Sequence, residues 1–172
     1  MIRLYHFPLS PFCRKVRLTL ADDVRGRNKR DITVEPVTDE SQLRLWHWVE
    51  HNRKQVEEKT QGQVAYVYLP NTADGGFYFF NRMFFAQTEK PALIIDERKN
   101  GGGQAANYIT EILARPFLAG WKDRAGAGFT TPGAGIYGPK TLLIDQDAGS
   151  GGDFLPRAFK RLGLGKTIGT RT

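Results

Sequence analysis

Twice in this chain an apolar run ends near a cluster of glycines and then passes into a helical pattern. The two stretches are "PALIIDERKNGGGQAANYITEILA" over 91–114 and "KTLLIDQDAGSGGDFLPRAFKRL" over 140–162. Apolar runs of this length suit strands of a parallel sheet covered on both faces. Parallel strands need long crossover connections, usually helices. A chain that uses this unit repeatedly is confined to the α/β class, with strands and helices alternating. The same order appears upstream, where "GQVAYVYLP" (62–70) is a strand rich in β-branched and aromatic residues. "GFYFFNRMFFAQ" (76–87) then suits a buried helix, and "KTIGTRT" (166–172) begins another strand.

The remaining segments are read in the same way. "IRLYH" (2–6) is a short strand, and "FCRKVRLTLADD" (12–23) follows a helical pattern. "VRGRNKRD" (24–31) is polar, charged and contains Gly26, so a boundary falls near 23–31. "ITVEPV" (32–37) is a short strand interrupted by Pro36. Thr38 and Asp39 are N-cap candidates for an amphipathic helix from about 39 to 59. Residues 104–114 form a helix ended by Pro116, and 118–139 form a Gly/Pro-rich loop. The helix "FLPRAFKRL" (154–162) is closed by Gly163, a natural C′ residue.

A chain of 172 residues that is 40% hydrophobic and 12% aromatic can bury a proper core. The excess of 25 Lys+Arg over 18 Asp+Glu gives a net charge of +7, which would suit an anionic partner. The basic residues are scattered rather than gathered on one helix face, so nucleic acid is not expected as a partner. No segment approaches the ~20 continuous apolar residues of a membrane helix, and no membrane partner is expected. The single cysteine, Cys13, excludes an internal disulfide and suits a reducing, cytoplasmic location.

Both glycine turns fall where open α/β sheets collect ligands, at the carboxyl ends of strands. Helix N-termini there present unpaired N–H groups that favour negative charge. Ser150 in "AGSGG" matches the form G-x-S-x-G, a serine lifted on a strand-to-helix elbow. Acyl transfer needs such a nucleophile with N–H donors for the oxyanion. Gly151 supplies one donor, and Gly102 or Gly103 on the neighbouring turn supplies the other. The two turns could equally form an anion or phosphate site, although no Walker G-K-[ST] follows either.

With these motifs in order, about residues 32–172 resemble the tail-specific (C-terminal processing) serine peptidases, in particular the tricorn-protease branch. The matching stretches are "WVEHNRKQVEEKTQGQVAYVYLPNT", "FNRMFFAQT", "IIDERKNGGG", "FTTPGAGIYGPKTLLID" and "DAGSGGDFLPRAFKRLGLGKTIGTRT". The resemblance implies a crotonase-like α/β core and a peptide or protein substrate. It implies Ser150 as nucleophile, the N–H groups of Gly151 and of Gly102 or Gly103 as the oxyanion hole, and a homo-oligomer for complete relatives. No cofactor or metal is expected. Asp153 is expected to cap the helix after the elbow. The tricorn branch usually carries an acidic residue directly after the serine, where this chain has Gly151, so the branch's substrate preference does not transfer.

A serine hydroxyl needs a base to take its proton. In this family the histidine lies in an earlier subdomain, and a supporting glutamate lies in a segment that follows the stretch matched by Thr172. The expectation is therefore a truncated peptidase core, inactive alone. The alternative is a non-catalytic remnant that associates through exposed core surface. Among the three histidines, His47 and His51 in "HWVEH" fit the H-x-x-E-H form of zinc peptidases. No third ligand accompanies them, and the helix belongs to the peptidase resemblance.

Residues 1–22, up to the boundary residue Asp23, resemble the first strand and helix of glutathione transferases. That resemblance points to Ser10 or Cys13 as a thiol-activating residue in a glutathione-binding protein. The organisation expected is thus a β-α appendage over 1–22, a linker over 23–31 and the partial peptidase core over 32–172.

Overall fold

The computed structural model describes residues 16–23, 25–34 and 39–172. The chain divides into two units, one ending at Trp46 and one beginning at His47. The strand expected over 2–6 lies outside the described residues.

In the first unit, β1 (Val16–Leu20) pairs antiparallel with β2 (Arg30–Val34), with Leu20 opposite Arg30 and Val16 opposite Val34. This corrects the helix expected over 12–23. The physical reason is a period of two: Val16, Leu18 and Leu20 alternate with Arg17 and Thr19, as Ile32 and Val34 alternate with Asp31 and Thr33. The charged stretch between them forms the hairpin loop. The Asp23 carboxylate accepts the N–H groups of Arg25 (3.1 Å) and Arg27 (3.0 Å) and the Arg27 guanidinium (2.6 Å). Gly26 sits beside it at φ +78°.

Helix α1 (Ser41–Lys59) begins where expected. Asp39 caps it, accepting the Ser41 N–H at 2.8 Å and the Ser41 hydroxyl at 2.7 Å.

The second unit holds a four-stranded sheet in the order β3 (Val64–Tyr68), β4 (Ala92–Asp96), β7 (Lys140–Ile144), β8 (Lys166–Gly169), with every pair parallel. The crossovers contain α2 (Asp74–Phe85), α3 (Ala106–Ala114) and α4 (Gly151–Arg161). This is the α/β alternation read from the sequence. The register places Val67, Ile95 and Leu142 side by side. They join Phe80 and Phe84 of α2, Ile109 of α3, and Leu155 and Phe159 of α4 in one buried apolar cluster. Period-two alternation sends Tyr66, Tyr68, Ile94, Asp96 and Leu143 to the opposite face. There the Tyr66 hydroxyl donates to Asp96 Oδ2 (2.7 Å), and Arg98 binds both Asp96 oxygens (2.8 and 2.6 Å). Arg98 also lies over the Trp48 ring, 4.6 Å from its centroid, and Trp48 meets Tyr68 edge-on.

The loop expected over 118–139 contains a further antiparallel hairpin, β5 (Ala119–Trp121) with β6 (Phe129–Thr131). Helix α4 starts at Gly151, three residues before the predicted 154, so the Ser150 elbow joins it directly. Gly163 follows at φ +62°, as a C′ residue should. Among the described residues no helix is long and apolar enough to cross a membrane.

Candidate active site

Three chain segments meet at the carboxyl edge of the sheet: 69–73 after β3, 97–103 after β4 and 145–150 after β7. Backbone ladders carry past the strand ends to hold them, with the Leu69 N–H on the Asp96 carbonyl (2.8 Å) and the Glu97 N–H on the Leu143 carbonyl (3.0 Å).

Thr72 clamps the glycine turn. Its N–H donates to the Gly102 carbonyl (3.0 Å), its carbonyl accepts the Ala105 N–H (2.6 Å), and its hydroxyl donates to the Gly103 carbonyl (3.1 Å). Asn71 holds the start of α2, its Oδ1 accepting the N–H groups of Ala73 (3.0 Å) and Gly76 (2.8 Å).

Asn100 joins the glycine turn to the serine elbow. Its carbonyl accepts the Gly149 N–H at 3.0 Å, while its Oδ1 accepts the Gly102 N–H at 2.9 Å. Asp145 reinforces the junction by accepting the Lys99 N–H (2.9 Å) and the Asp147 N–H (3.2 Å).

Ser150 is exposed and is the N-cap residue of α4, at φ 58° and ψ −111°. A residue with a Cβ reaches positive φ only at a cost of about 1–3 kcal/mol, and such strain clusters at functional sites. The Ser150 hydroxyl makes no cap hydrogen bond. The two turns approach closely enough to exclude side chains. A Cβ on Gly102 would lie 2.8 Å from the Ser150 Cβ, and one on Gly151 would lie 2.1 Å from the Gly103 carbonyl oxygen and 2.8 Å from the Gly103 nitrogen. A Cβ at either place would force the facing backbone to move.

The N–H groups of the two turns differ in their partners. The Gly102 N–H is occupied by Asn100 Oδ1. The N–H groups of Gly103 and Gly151 have no partner among the described residues. Two unpaired donors therefore sit on facing turns beside the serine. Asp153, expected to cap α4, makes no side-chain hydrogen bond among the described residues. It stands in the first turn of the helix, where negative charge is favoured.

Three residues of this site were missed by sequence reasoning: Thr72, Asn100 and Glu97. Glu97 is fully buried. Its Oε2 accepts the Asn100 side-chain N–H at 3.1 Å, and its Oε1 has no partner among the described residues. Burial pushes its carboxyl up to about 9, and the neighbouring Asp153, Asp145 and Asp96 add to the rise while the Asn100 bond opposes it.

The other candidates do not join this cluster. His47 and His51 are exposed on α1, and no group of three potential metal ligands occurs among the described residues. No described histidine is hydrogen-bonded to Ser150. Ser10 and Cys13 lie outside the described residues.

Residues 63–172 match peptidase family S41. The tricorn protease of Thermoplasma acidophilum is 35% identical over 148 residues, covering 86% of this chain and 14% of the relative. Tricorn protease homolog 1 of Streptomyces coelicolor is 31% identical over 160 residues, covering 92% of this chain and 15% of the relative. A span of that length extends the likeness into residues 1–22. The crystal structure of the tricorn protease superimposes with a TM-score of 0.82 at 34% identity, over 92% of this chain and 15% of that one. This chain thus spans about one seventh of the length of these relatives. It belongs to peptidase family S41 and carries part of a tricorn-type serine peptidase.

Proposed function

We propose that this chain is the nucleophile-bearing core of a peptidase that hydrolyses peptide bonds through Ser150. Ser150 Oγ attacks the substrate carbonyl carbon and gives up its proton to a base. The carbonyl π electrons move to oxygen, and the N–H groups of Gly103 and Gly151 hold the resulting oxyanion. Collapse breaks the C–N bond, and the base returns the proton to the leaving amine. Water then hydrolyses the acyl ester by the reverse sequence. The reading is carried by two N–H groups, those of Gly103 and Gly151, that have no partner among the described residues and lie on turns packed closely beside a strained, exposed serine.

The base belongs to a segment other than those described. The family resemblance implies a histidine and a glutamate outside these residues, and no described histidine bonds Ser150. By itself this chain is expected to turn over peptides poorly. A peptide or protein substrate, a homo-oligomeric complete enzyme and a cytoplasmic location complete the proposal.

Intact-mass spectrometry after treatment with a serine-reactive fluorophosphonate tests it. A single adduct that disappears in Ser150→Ala supports the nucleophile. No adduct on a folded chain, or an adduct retained in the variant, contradicts reactivity of Ser150 in this chain.

A second reading rests on the sheet edge. Among the described residues β8 pairs only with β7, and Ile168 on it is 54% exposed. An open edge strand is a template for association. This favours docking of further protein there, which is compatible with the catalytic proposal.

A further inference from the structure

The glycine turn can work as an oxyanion site only if its N–H groups are held in place, and the described contacts trace that hold to a buried acid. The Gly102 N–H faces the Asn100 side chain at 2.9 Å, which requires the amide oxygen, not the nitrogen, to point toward the turn. The Asn100 Nδ2 must then point the other way, and there it donates to Glu97 Oε2 at 3.1 Å. The same Asn100 holds the serine elbow through its carbonyl on the Gly149 N–H. Glu97, whose carbonyl also accepts the Asn100 N–H at 3.0 Å, is thus the far end of a relay to both turns that makes no hydrogen bond of its own to Gly102 or Gly149.

We propose that Glu97 is a positioning residue for the Ser150 site, setting the glycine turn and the elbow through Asn100; this rests on the peptidase reading above.

Glu97 performs this role uncharged. It is enclosed at the end of β4, with the carboxyl groups of Asp96 beside it, Asp145 after β7 and Asp153 in α4, and among the described residues no cation partners its oxygens. Asp96 has Arg98 as its partner, so the local positive charge is already committed. The carboxyl is pushed up to about 9 and stays protonated at neutral pH. Ionisation above that value places an unpaired negative charge among three acids, which disturbs the junction.

The test uses the whole chain, with Glu97→Gln and Glu97→Ala. Amide NMR shifts of Gly102 and Gly149 are followed as pH rises through about 9. Both are expected to shift together across that range in the wild type and to stay flat in Glu97→Gln. Fluorophosphonate labelling of Ser150, per folded molecule, is expected to fall about tenfold or more in Glu97→Ala and to be kept by Glu97→Gln. Two flat wild-type profiles overturn the proposal, as does a Glu97→Gln chain as impaired as Glu97→Ala. If Glu97→Ala does not fold, the wild-type and Glu97→Gln profiles still decide. The NMR readout needs no reactive serine: flat shifts count against Glu97 whether or not Ser150 labels, whereas absent labelling with the expected shifts counts against autonomous reactivity of Ser150 and leaves the Glu97 relay standing.

Discussion

The carbonyl of Asn100 accepts the Gly149 N–H at 3.0 Å while its side chain accepts the Gly102 N–H at 2.9 Å, so one residue holds both turns of the site. Asn100 is itself fully buried. Replacing it with Ala strands the Gly102 N–H and the Glu97 carboxyl together. Each buried group left unsatisfied costs about 1–3 kcal/mol. Asn100→Ala is predicted to lose about 2–4 kcal/mol in urea unfolding and to lower Ser150 labelling more than its stability loss explains. Near-wild-type stability would contradict the shared anchor.

The close passage of the two turns makes a sharper steric prediction. A Cβ at Gly151 meets the Gly103 carbonyl oxygen at 2.1 Å and Thr72 Oγ1 at 2.4 Å, whereas a Cβ at Gly149 meets nothing within 4 Å. Gly151→Asp is predicted to destabilise by about 1–3 kcal/mol or displace the glycine turn. Gly149→Ala is predicted to stay within about 0.5 kcal/mol of wild type. Equal effects of the two would contradict the packing. In this chain, Gly151 reflects how closely the turns pass.

Glu97 ties stability to pH. Its carboxyl sits at about 9 when folded, against an ordinary value of 4.5. Between those values the folded chain holds more protons than the unfolded one, so stability falls as pH rises. The contribution is fully present below the ordinary value and is lost as pH climbs through the folded one. Glu97→Gln removes this titration, so its stability relative to wild type should rise by on the order of 1 kcal/mol per pH unit across that window. Urea midpoints at a series of pH values measure it. A constant difference would contradict a protonated, buried Glu97.

On the opposite face of the sheet, Asp96 is the buried acceptor for both Tyr66 and Arg98. Asp96→Ala leaves a buried hydroxyl and a guanidinium without their acceptor. A loss of about 3–5 kcal/mol is predicted, with Tyr66→Phe costing about 1 kcal/mol. Similar, small losses for both would contradict the network.

Much of this was legible in the sequence where periodicity was strong. The runs "VAYVY", "ALIID" and "KTLLI" became β3, β4 and β7, and the glycine turns after β4 and β7 fell at the sheet's carboxyl edge. The failures have physical causes. In "VRLTL" the local alternation of Val16, Leu18 and Leu20 outweighed the helical pattern of the wider window. The three-residue strands "AGW" and "FTT" are too short to show a period, and each is recognisable only through its partner. Thr72 was invisible because its bond to the Gly103 carbonyl spans 31 residues. Glu97 was missed because nothing in "IIDER" distinguishes a buried acid from the solvated one usual after a strand, whereas this side chain is fully buried.

When Ser150 Oγ has added to a substrate carbonyl, the oxyanion on the former carbonyl oxygen is proposed to sit between the N–H groups of Gly103 and Gly151. The most direct measurement is a crystal structure of the fluorophosphonate adduct. Phosphorus is expected on Ser150 Oγ, with the phosphoryl oxygen about 2.7–3.1 Å from the nitrogens of both Gly103 and Gly151, and the Gly102 N–H still on Asn100. A phosphoryl oxygen turned to solvent, or one bound by Gly102 after release from Asn100, would contradict it.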